Sequence, residues 1–367
     1  MTNIKQLIQR VQRYRFRFVL IPMAFFAFVF KFSYLTQVED QSLQPLQLST
    51  TRKSGERKVP INYAVFATST PNGESYRSYD YAYNVPLTAL AWERIGFRSI
   101  VLIIGSRCEW ENEPALKLIL SRLEERRGTA IFVDSPLQYR QTLSQTARIF
   151  VANMETFPGQ NDDYMITTDS DLWPLRREHY IPRPGSDIVL AHSACCGYFS
   201  MNNKSYQHFP MSNIGASVST WLQITNDNNS IVARDAESIL DYLQEVFGEM
   251  ARSPVVVGQP AWYMDQHIVS IRIAEWMERH PNQSVHRVSD NGFSRLDRPK
   301  WDADKLSPAD FSLKFDTHLL LKGYLPSTHA RIKPLIHLMY GNDSWETKWI
   351  EEYNQEFLSK IKNWVSL

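Results

Sequence analysis

The chain has 367 residues, and 43% of them are hydrophobic, which is enough to bury one large α/β core or two smaller ones. The formal net charge is +1, but the first 35 residues carry six basic side chains and no acidic one, and subtracting these six leaves −5 for the remainder. No basic surface is therefore left to indicate nucleic-acid binding. The three cysteines exclude a disulfide framework and lack zinc-site spacing, which leaves open a bridge from Cys108 to Cys195 or Cys196, or three buried thiols.

The N-terminal region has the pattern of a membrane anchor. Residues 18–30 form an uncharged apolar run, which reaches about eighteen residues when it is extended through 35. Five basic residues precede this run and two acids follow it, so the positive-inside rule places the N-terminus in the cytoplasm. Because a short span suits a thin early-secretory membrane, the expected location is the Golgi or ER membrane, as a single-pass type II protein. We predict a cytoplasmic tail at 1–17, a signal-anchor span at 18–35, a flexible polar stem at 36–59 and a luminal globular domain at 60–367.

Strand and helix patterns alternate through the first half of the globular domain. Predicted strands cover 61–67, 100–104 and 130–133, and predicted helices cover 80–94, 115–126 and 137–154. Such alternation predicts a parallel sheet with right-handed crossovers. The first strand ends in a polar loop, and α/β folds hold nucleotides at this position, so we expect Ala67, Thr68 and Ser69 to contact a nucleotide. The loop lacks the GxGxxG and Walker patterns.

The next predicted strand, 164–168, leads directly into two aspartates, Asp169 and Asp171. Trp173 and Pro174 follow, and they predict that the strand does not continue. The acids are therefore expected at the carboxyl end of a strand, where open α/β sheets bind ligands. Two carboxylates there can share one hard divalent cation while a diphosphate supplies other oxygen ligands. An Asp-rich surface turn is the alternative interpretation.

A hydrophobic strand that ends in Asp-x-Asp resembles the metal motif of the GT-A glycosyltransferases. The resemblance implies an α/β, Rossmann-like fold with a mainly parallel central sheet and flanking helices. It also implies Mn²⁺ or Mg²⁺ at Asp169 and Asp171, and a nucleotide-sugar donor. Dehalogenase-type phosphatases also have Asp-x-Asp after a strand, but they need a small hydroxylated or branched residue where this chain has Trp173.

Three later segments resemble glycogenin-like and bacterial lipopolysaccharide glycosyltransferases. They contain Asn213-x-Gly215, the pair Asp265-Gln266 at the start of a predicted helix, and His337 at the end of a predicted strand. The resemblance implies that the Asn-x-Gly segment contacts the donor sugar, that the Asp-Gln pair is catalytic, and that the histidine joins both acids on the metal. The alternatives are a glycine turn, a helix-capping aspartate, and a structural histidine. Two other histidines are rival ligands, His318 and His329.

The segment after His337 departs from this pattern, because Asp343 and Ser344 replace an expected Lys-Pro. The lysine that grips the diphosphate must then come from elsewhere, such as Lys333 or Lys348. The spacing of apolar residues in 345–364 predicts a final amphipathic helix. Four Asn-x-Ser sequons fit a luminal glycoprotein: Asn203, Asn228, Asn282 and Asn342.

Together these patterns predict a type II membrane glycosyltransferase that moves a sugar from a nucleoside-diphosphate sugar to a glycan or glycoconjugate. The resemblance implies a uridine-diphosphate donor and retention of the anomeric configuration, with inversion left open. A non-catalytic, membrane-anchored glycan-binding or chaperone-like module is the competing hypothesis. A third is another luminal nucleotide-dependent transferase or phosphodiesterase. The sequence leaves the oligomeric state open.

Overall fold

The computed structural model describes residues 59–71, 79–226, 233–288, 293–298, 301 and 305–365. The predicted location in a Golgi or ER membrane is contradicted, because among these residues no helix is long and apolar enough to span a bilayer. The predicted tail and span, 1–35, and the predicted stem up to residue 58 lie outside the described residues.

The described elements follow one another in this order along the chain. The strands are β1 (Asn62–Ser69), β2 (Arg98–Ile104), β3 (Thr129–Val133), β4 (Tyr164–Thr167), β5 (Leu172–Pro174), β6 (Ile188–Ala191), β7 (Tyr198–Met201), β8 (Lys204–Gln207), β9 (Ile214–Ser217), β10 (Val285–Val288), β11 (Ser294–Leu296) and β12 (Lys314–His318). The helices are α1 (Asn84–Arg94), α2 (Arg107–Asn112), α3 (Pro114–Glu125), α4 (Arg140–Thr146), α5 (Val218–Thr225), α6 (Ala236–Phe247), α7 (Met264–Arg279), α8 (Pro308–Ser312), α9 (Pro326–Tyr340) and α10 (Trp345–Val365).

In the part of the chain that the structure describes, the central sheet has seven strands in the order β10-β6-β9-β4-β1-β2-β3. Strand β9 is antiparallel to both of its neighbours, β4 and β6. The other pairs are parallel. Strands β1 and β2 are almost continuously apolar, as expected of parallel strands that are covered on both faces. The prediction of a mainly parallel α/β sheet is therefore confirmed.

Two hydrophobic cores lie on the two faces of this sheet, because successive side chains of a strand point to opposite sides. Phe66 of β1 packs in one core with Trp92 of α1 and Tyr353 of α10. Val65, the preceding residue, packs in the other core with Trp221 of α5 and Trp276 of α7. The helices that flank the sheet are thus held by its alternating side chains.

The prediction that the strand before the two aspartates does not continue is confirmed, because β4 ends at Thr167. A short strand of a second sheet, which has the order β11-β12-β5, begins directly after them. Trp173 and Pro174 belong to β5, which pairs antiparallel with β12. Proline is tolerated at the end of this three-residue strand. The pairing joins Leu172 to His318, and it thereby brings β12 next to the Asp-x-Asp segment.

Two local predictions differ from the structure. The strand expected before His337 is part of helix α9, whose inner face buries Ile332, Leu335 and Ile336 at helical spacing. The helix expected at 137–154 is divided into α4 and short 3₁₀ turns. Strands β7 and β8 form a separate hairpin.

Gly215 has a packing role in β9. A side-chain carbon at this position would overlap the hydroxyl of Tyr164 in the neighbouring strand β4. That hydroxyl is buried and donates a 2.7 Å hydrogen bond to the carbonyl of Tyr180. Glycine is therefore required here by the close approach of a fixed side chain.

We expect Gly215→Ala to destabilise the protein by about 1–3 kcal/mol, because the new methyl group must displace Tyr164 or the strand. The measurement is urea unfolding followed by tryptophan fluorescence. Gly185→Ala is the control, since its added carbon meets no atom within 4 Å and only its positive φ of 80° opposes alanine. Unfolding of Gly215→Ala at the wild-type urea concentration would contradict the packing role.

Candidate functional site

The Asp-x-Asp segment lies just after β4, and the prediction of its position at the carboxyl end of a strand is confirmed. Hydrogen bonds from three other elements fix its backbone. The amide of Thr168 donates to the carbonyl of Val65 at 2.8 Å. The hydroxyl of Thr88 donates to the carbonyl of Ser170 at 2.6 Å, and the carbonyl of Asp171 accepts from the amide that follows β12 at 2.8 Å. The two carboxylates are thus carried on a rigid turn.

Asp169, Asp171 and His318 form a group of potential metal ligands. One ligand atom of each lies within 4.8 Å of the others. His318 is the last residue of β12, and its Nε2 is 3.8 Å from Asp169 Oδ2. Its other ring nitrogen, Nδ1, is 3.0 Å from the carboxylate of Asp297. A carboxylate behind a histidine is the usual support for a metal-binding imidazole, so these residues fit a divalent cation.

The other histidines considered from the sequence lie elsewhere. His337 is in the last turn of α9, and it is not one of the described residues in the ligand group or the cavity wall. His329 Nε2 is 3.2 Å from a carboxylate oxygen of Glu351, and Lys333 Nζ is 3.0 Å from the other oxygen of the same carboxylate. Lys348 is in α10 and is also not one of the described residues in the cavity wall. Sequence order could not choose among these histidines, because pairing between β5 and β12 decides which one reaches the acids.

A buried arginine, Arg148, connects the Asp-x-Asp segment to helix α7. One guanidinium nitrogen pairs with Asp169 and donates to the carbonyl of Thr168 at 2.5 Å. The other nitrogen pairs with Asp265 at 2.9 Å, and only 6% of each of these two side chains is exposed. Sequence reasoning missed Arg148 because it lies in a 3₁₀ turn, Ala147–Ile149, within the segment predicted as a helix.

This arrangement moves the pKa values of the two acids in opposite directions. Burial acts to raise the pKa of Asp169, but Arg148 and His318 outweigh it and hold the pKa well below its usual range. Burial raises the pKa of Asp265 to about 6; Arg148 opposes the rise, and the charge of Asp169 adds to it. The first carboxylate is therefore ionised throughout the neutral range, and the second can exchange a proton near neutral pH.

Asp316 in β12 is the centre of a second buried network. Its two oxygens accept from Nε and Nη2 of Arg295, each at 2.6 Å. One oxygen also accepts from Asn213 Nδ2 at 3.1 Å and lies 3.7 Å from His192 Nε2. Burial acts to raise the pKa of Asp316, but Arg295 and His192 lower it well below its usual range. Asn213 is thus fully buried behind the site, and its φ of 77° is the left-handed conformation that asparagine tolerates.

A cavity of about 1080 Å³ opens over these groups. It brings together most of the predicted site residues: Ala67, Thr68, Ser69, Asp169, Asp171, Asp265 and Gln266. Asn213, Gly215 and His337 are not among the described residues that line it. Four arginines do line it: Arg140, Arg148, Arg295 and Arg298. Arg298 pairs directly with Asp171.

The cysteines differ from both sequence interpretations. Cys195 and Cys196 are bonded to each other, and both line the cavity. Cys108 is free and exposed in the short helix α2, where its sulfur accepts a 3.0 Å hydrogen bond from Asn112. The predictions of a bridge to Cys108 and of three buried thiols were therefore wrong.

No family model matches the chain, and no curated protein matches it. Among solved structures, it is similar to a glycosyltransferase involved in the glycosylation of the major capsid of PBCV-1, with 10% identity, a TM-score of 0.34 and coverage of 76% of this chain and 99% of that chain. Mouse xyloside xylosyltransferase 1 in its apo form gives 12% identity and a TM-score of 0.33, over 71% of this chain and 98% of that chain. A 4-diphosphocytidyl-2C-methyl-D-erythritol synthase gives 11% identity and a TM-score of 0.28, over 59% of this chain and 99% of that chain.

We expect Asp316→Asn to destabilise the protein by about 3–5 kcal/mol at neutral pH, because it leaves the largely buried charge of Arg295 without its partner. The folded-state pKa of Asp316 lies below the unfolded value, so its contribution is present above that unfolded value and is lost as the pH falls. Stability of the variant should therefore fall less than that of the wild type on acidification below about pH 4.

Urea unfolding of the metal-free protein between about pH 7 and about pH 3 measures both effects. Asp134→Asn, which alters an exposed aspartate after β3, is the matched control and should leave the pH dependence unchanged. If the stability of Asp316→Asn depended on pH as the wild type does, Asp316 would not be a source of the stability that the wild type loses on acidification.

Proposed function

We propose that the chain is a divalent-metal-dependent glycosyltransferase, which moves a sugar from a nucleoside-diphosphate sugar to a glycan or glycoconjugate. The observation that carries this proposal is the convergence of Asp169, Asp171 and His318 in one cavity with arginines and with a protonatable Asp265.

The cation would be held by the carboxylates of Asp169 and Asp171 and by the imidazole of His318, with Mn²⁺ as the proposed ion. Carboxylate oxygens suit Mg²⁺ and Mn²⁺, and imidazole also binds transition metals, so the mixed set favours Mn²⁺ over Mg²⁺. A bound divalent cation supplies Lewis-acid stabilisation of the charge on a departing diphosphate. Asp297 would keep the imidazole in the orientation that presents Nε2.

The arginines take the place of the diphosphate-binding lysine that the sequence left unassigned. Arg295 and Arg298 come from one short segment and line the cavity beside Asp171 and His318. A guanidinium can bind phosphate oxygens through two parallel N–H groups, which makes it a strong partner for a diphosphate. The end of strand β1, with Ala67, Thr68 and Ser69, remains the proposed contact for the nucleoside, and uridine is the proposed nucleoside.

Asp265 is the proposed acid–base residue, and Gln266 is the proposed hydrogen-bonding partner of the sugar. In the transfer, the acceptor oxygen forms a bond to the anomeric carbon as the bond from that carbon to the diphosphate breaks. The diphosphate leaves with the electron pair, and the acceptor hydroxyl proton passes to Asp265. A pKa of about 6 suits this role, since a base is most effective when its pKa is near the working pH. Arg148 holds the carboxylate in place through its 2.9 Å ion pair.

We expect Asp171→Asn and His318→Ala each to weaken Mn²⁺ binding by at least about tenfold, since even loss of a residue behind a ligand has that effect. Isothermal titration with Mn²⁺, with and without uridine diphosphate, measures this. His337→Ala is the matched control, because this histidine is not among the described residues that line the cavity, and it should bind Mn²⁺ as the wild type does. Weaker binding by His337→Ala together with unchanged binding by His318→Ala would reverse the assignment.

We expect Asp265→Asn to lower kcat for sugar transfer by about 10²- to 10⁴-fold, because asparagine cannot accept the acceptor proton. Donor KM should change little, since the metal and diphosphate groups remain. Steady-state assays with uridine-diphosphate sugars and Mn²⁺ measure both parameters.

Glu278→Gln is the control for Asp265→Asn, because it alters an exposed acid on the same helix. Full activity in Asp265→Asn would exclude the aspartate as the base. Binding of glycans without turnover of any nucleotide sugar by the wild type would favour the non-catalytic module instead.

A further inference from the structure

The start of helix α7 presents two adjacent rows of side chains. Trp262, in the turn that precedes α7, and Asp265 and Gln266, in its first turn, form the row that lines the cavity. Tyr263, the residue before α7, and His267 form the next row, and their ring centroids lie 6.4 Å apart. Gln266, three residues after Tyr263, connects the two rows, whereas Asp265 is two residues from Tyr263 and from His267 and does not face them.

The β7–β8 hairpin supports this second row with stacked rings. Phe199 stacks on His267 with a centroid distance of 4.2 Å, and on Tyr206 at 5.5 Å. His208 lies 5.0 Å from His267, and the ring of Tyr263 is 6.4 Å from both histidines. Because each ring is in contact with others, their orientation is fixed before any ligand arrives. Tyr263 retains 36% of its surface exposed at the edge of this group.

The rings of this cluster are uncharged at neutral pH, and the ammonium of Lys204 lies 5.4 Å from the centre of the Tyr206 ring. Burial and the nearby His208 lower the pKa of His267 to about 4, and burial also lowers the pKa of His208. The other members are phenylalanine and tyrosine. Flat, neutral and partly exposed rings beside polar groups such as Gln266 suit a ligand with apolar C–H faces and a hydroxyl rim.

We propose that Trp262, Tyr263 and His267 form the subsite that binds the acceptor, and that the acceptor group in this subsite is a saccharide. This inference rests on the proposed function and adds the chemistry of the acceptor to it. A sugar ring stacks on Tyr263 and His267, and the acceptor extends past Gln266 into the cavity, where its reacting hydroxyl meets Asp265. The ring surface borders the cavity at Gln266, which lines the cavity and lies three residues from Tyr263.

The experiment is saturation-transfer NMR with methyl β-glucoside, methyl β-galactoside and methyl β-xyloside, in the presence of Mn²⁺ and uridine diphosphate. We expect at least one glycoside to bind the wild type and to bind Tyr263→Ala about five- to tenfold more weakly, because one stacking ring is lost. Tyr263→Phe keeps the ring and should retain binding. Tyr263→Leu keeps the bulk without the aromatic face and should bind as weakly as the alanine variant, which separates stacking from folding.

Tyr198→Ala is the matched control on the hairpin. Tyr198 is 74% exposed, and strand alternation places it on the opposite face from Phe199. Its removal should leave glycoside binding unchanged.

Two outcomes separate failure of the subsite from failure of the proposed function. If uridine diphosphate and Mn²⁺ bind but glycosides bind the wild type and Tyr263→Ala equally, or bind neither, the saccharide subsite is wrong. The same conclusion follows if only a serine- or threonine-containing peptide binds at Tyr263. If the wild type does not bind uridine diphosphate with Mn²⁺, the proposed function itself fails.

Discussion

The site depends on one buried cation, the guanidinium of Arg148. It pairs with Asp169 on the turn after β4 and with Asp265 at the start of α7, and only 6% of its side chain is exposed. Without this charge, two acids would share a poorly hydrated region and at least one would have to be protonated. With the charge of Arg148, Asp169 stays ionised, and the pKa of Asp265 is about 6. One ion-pair network thus fixes both the geometry of the turn and the different protonation of its two acids.

The second sheet completes the site because it returns a distant part of the chain to the Asp-x-Asp turn. Pairing of β5 with β12 places His318 opposite Leu172, one residue after Asp171. The same strand buries Asp316, which orients Arg295 through two 2.6 Å hydrogen bonds. A buried carboxylate is costly to desolvate unless it is paired, so the ion pair stabilises the buried charge of Asp316 and also fixes the orientation of Arg295. The potential metal ligand His318 and the cavity residue Arg295 are therefore positioned by a single strand.

The sequence predicted those features that depend on local pattern. Apolar runs located β1 and β4, and the polar residues at their ends located Thr68, Ser69 and Asp169 in the cavity wall. It could not choose His318, because that choice depends on pairing between strands about 140 residues apart. Around His337, the short apolar run that contains Pro334 has a pattern compatible with either a strand or a buried helix, and the sequence could not decide between them. Asn213 was found by resemblance, but its amide bonds to Asp316, a residue that no motif had indicated.

The two arginine ion pairs described at the Asp-x-Asp turn differ in how readily they can be exchanged. Arg148 is buried and makes four polar contacts, so it stays with Asp169 and Asp265. Arg298 pairs with Asp171 but remains 30% exposed, at the edge of the cavity. On the proposed function, a divalent cation at Asp171 would repel this guanidinium, and an anionic diphosphate would attract it. Because each ligand favours the same displacement of Arg298, metal and donor should bind cooperatively, and thermodynamic linkage makes that coupling reciprocal.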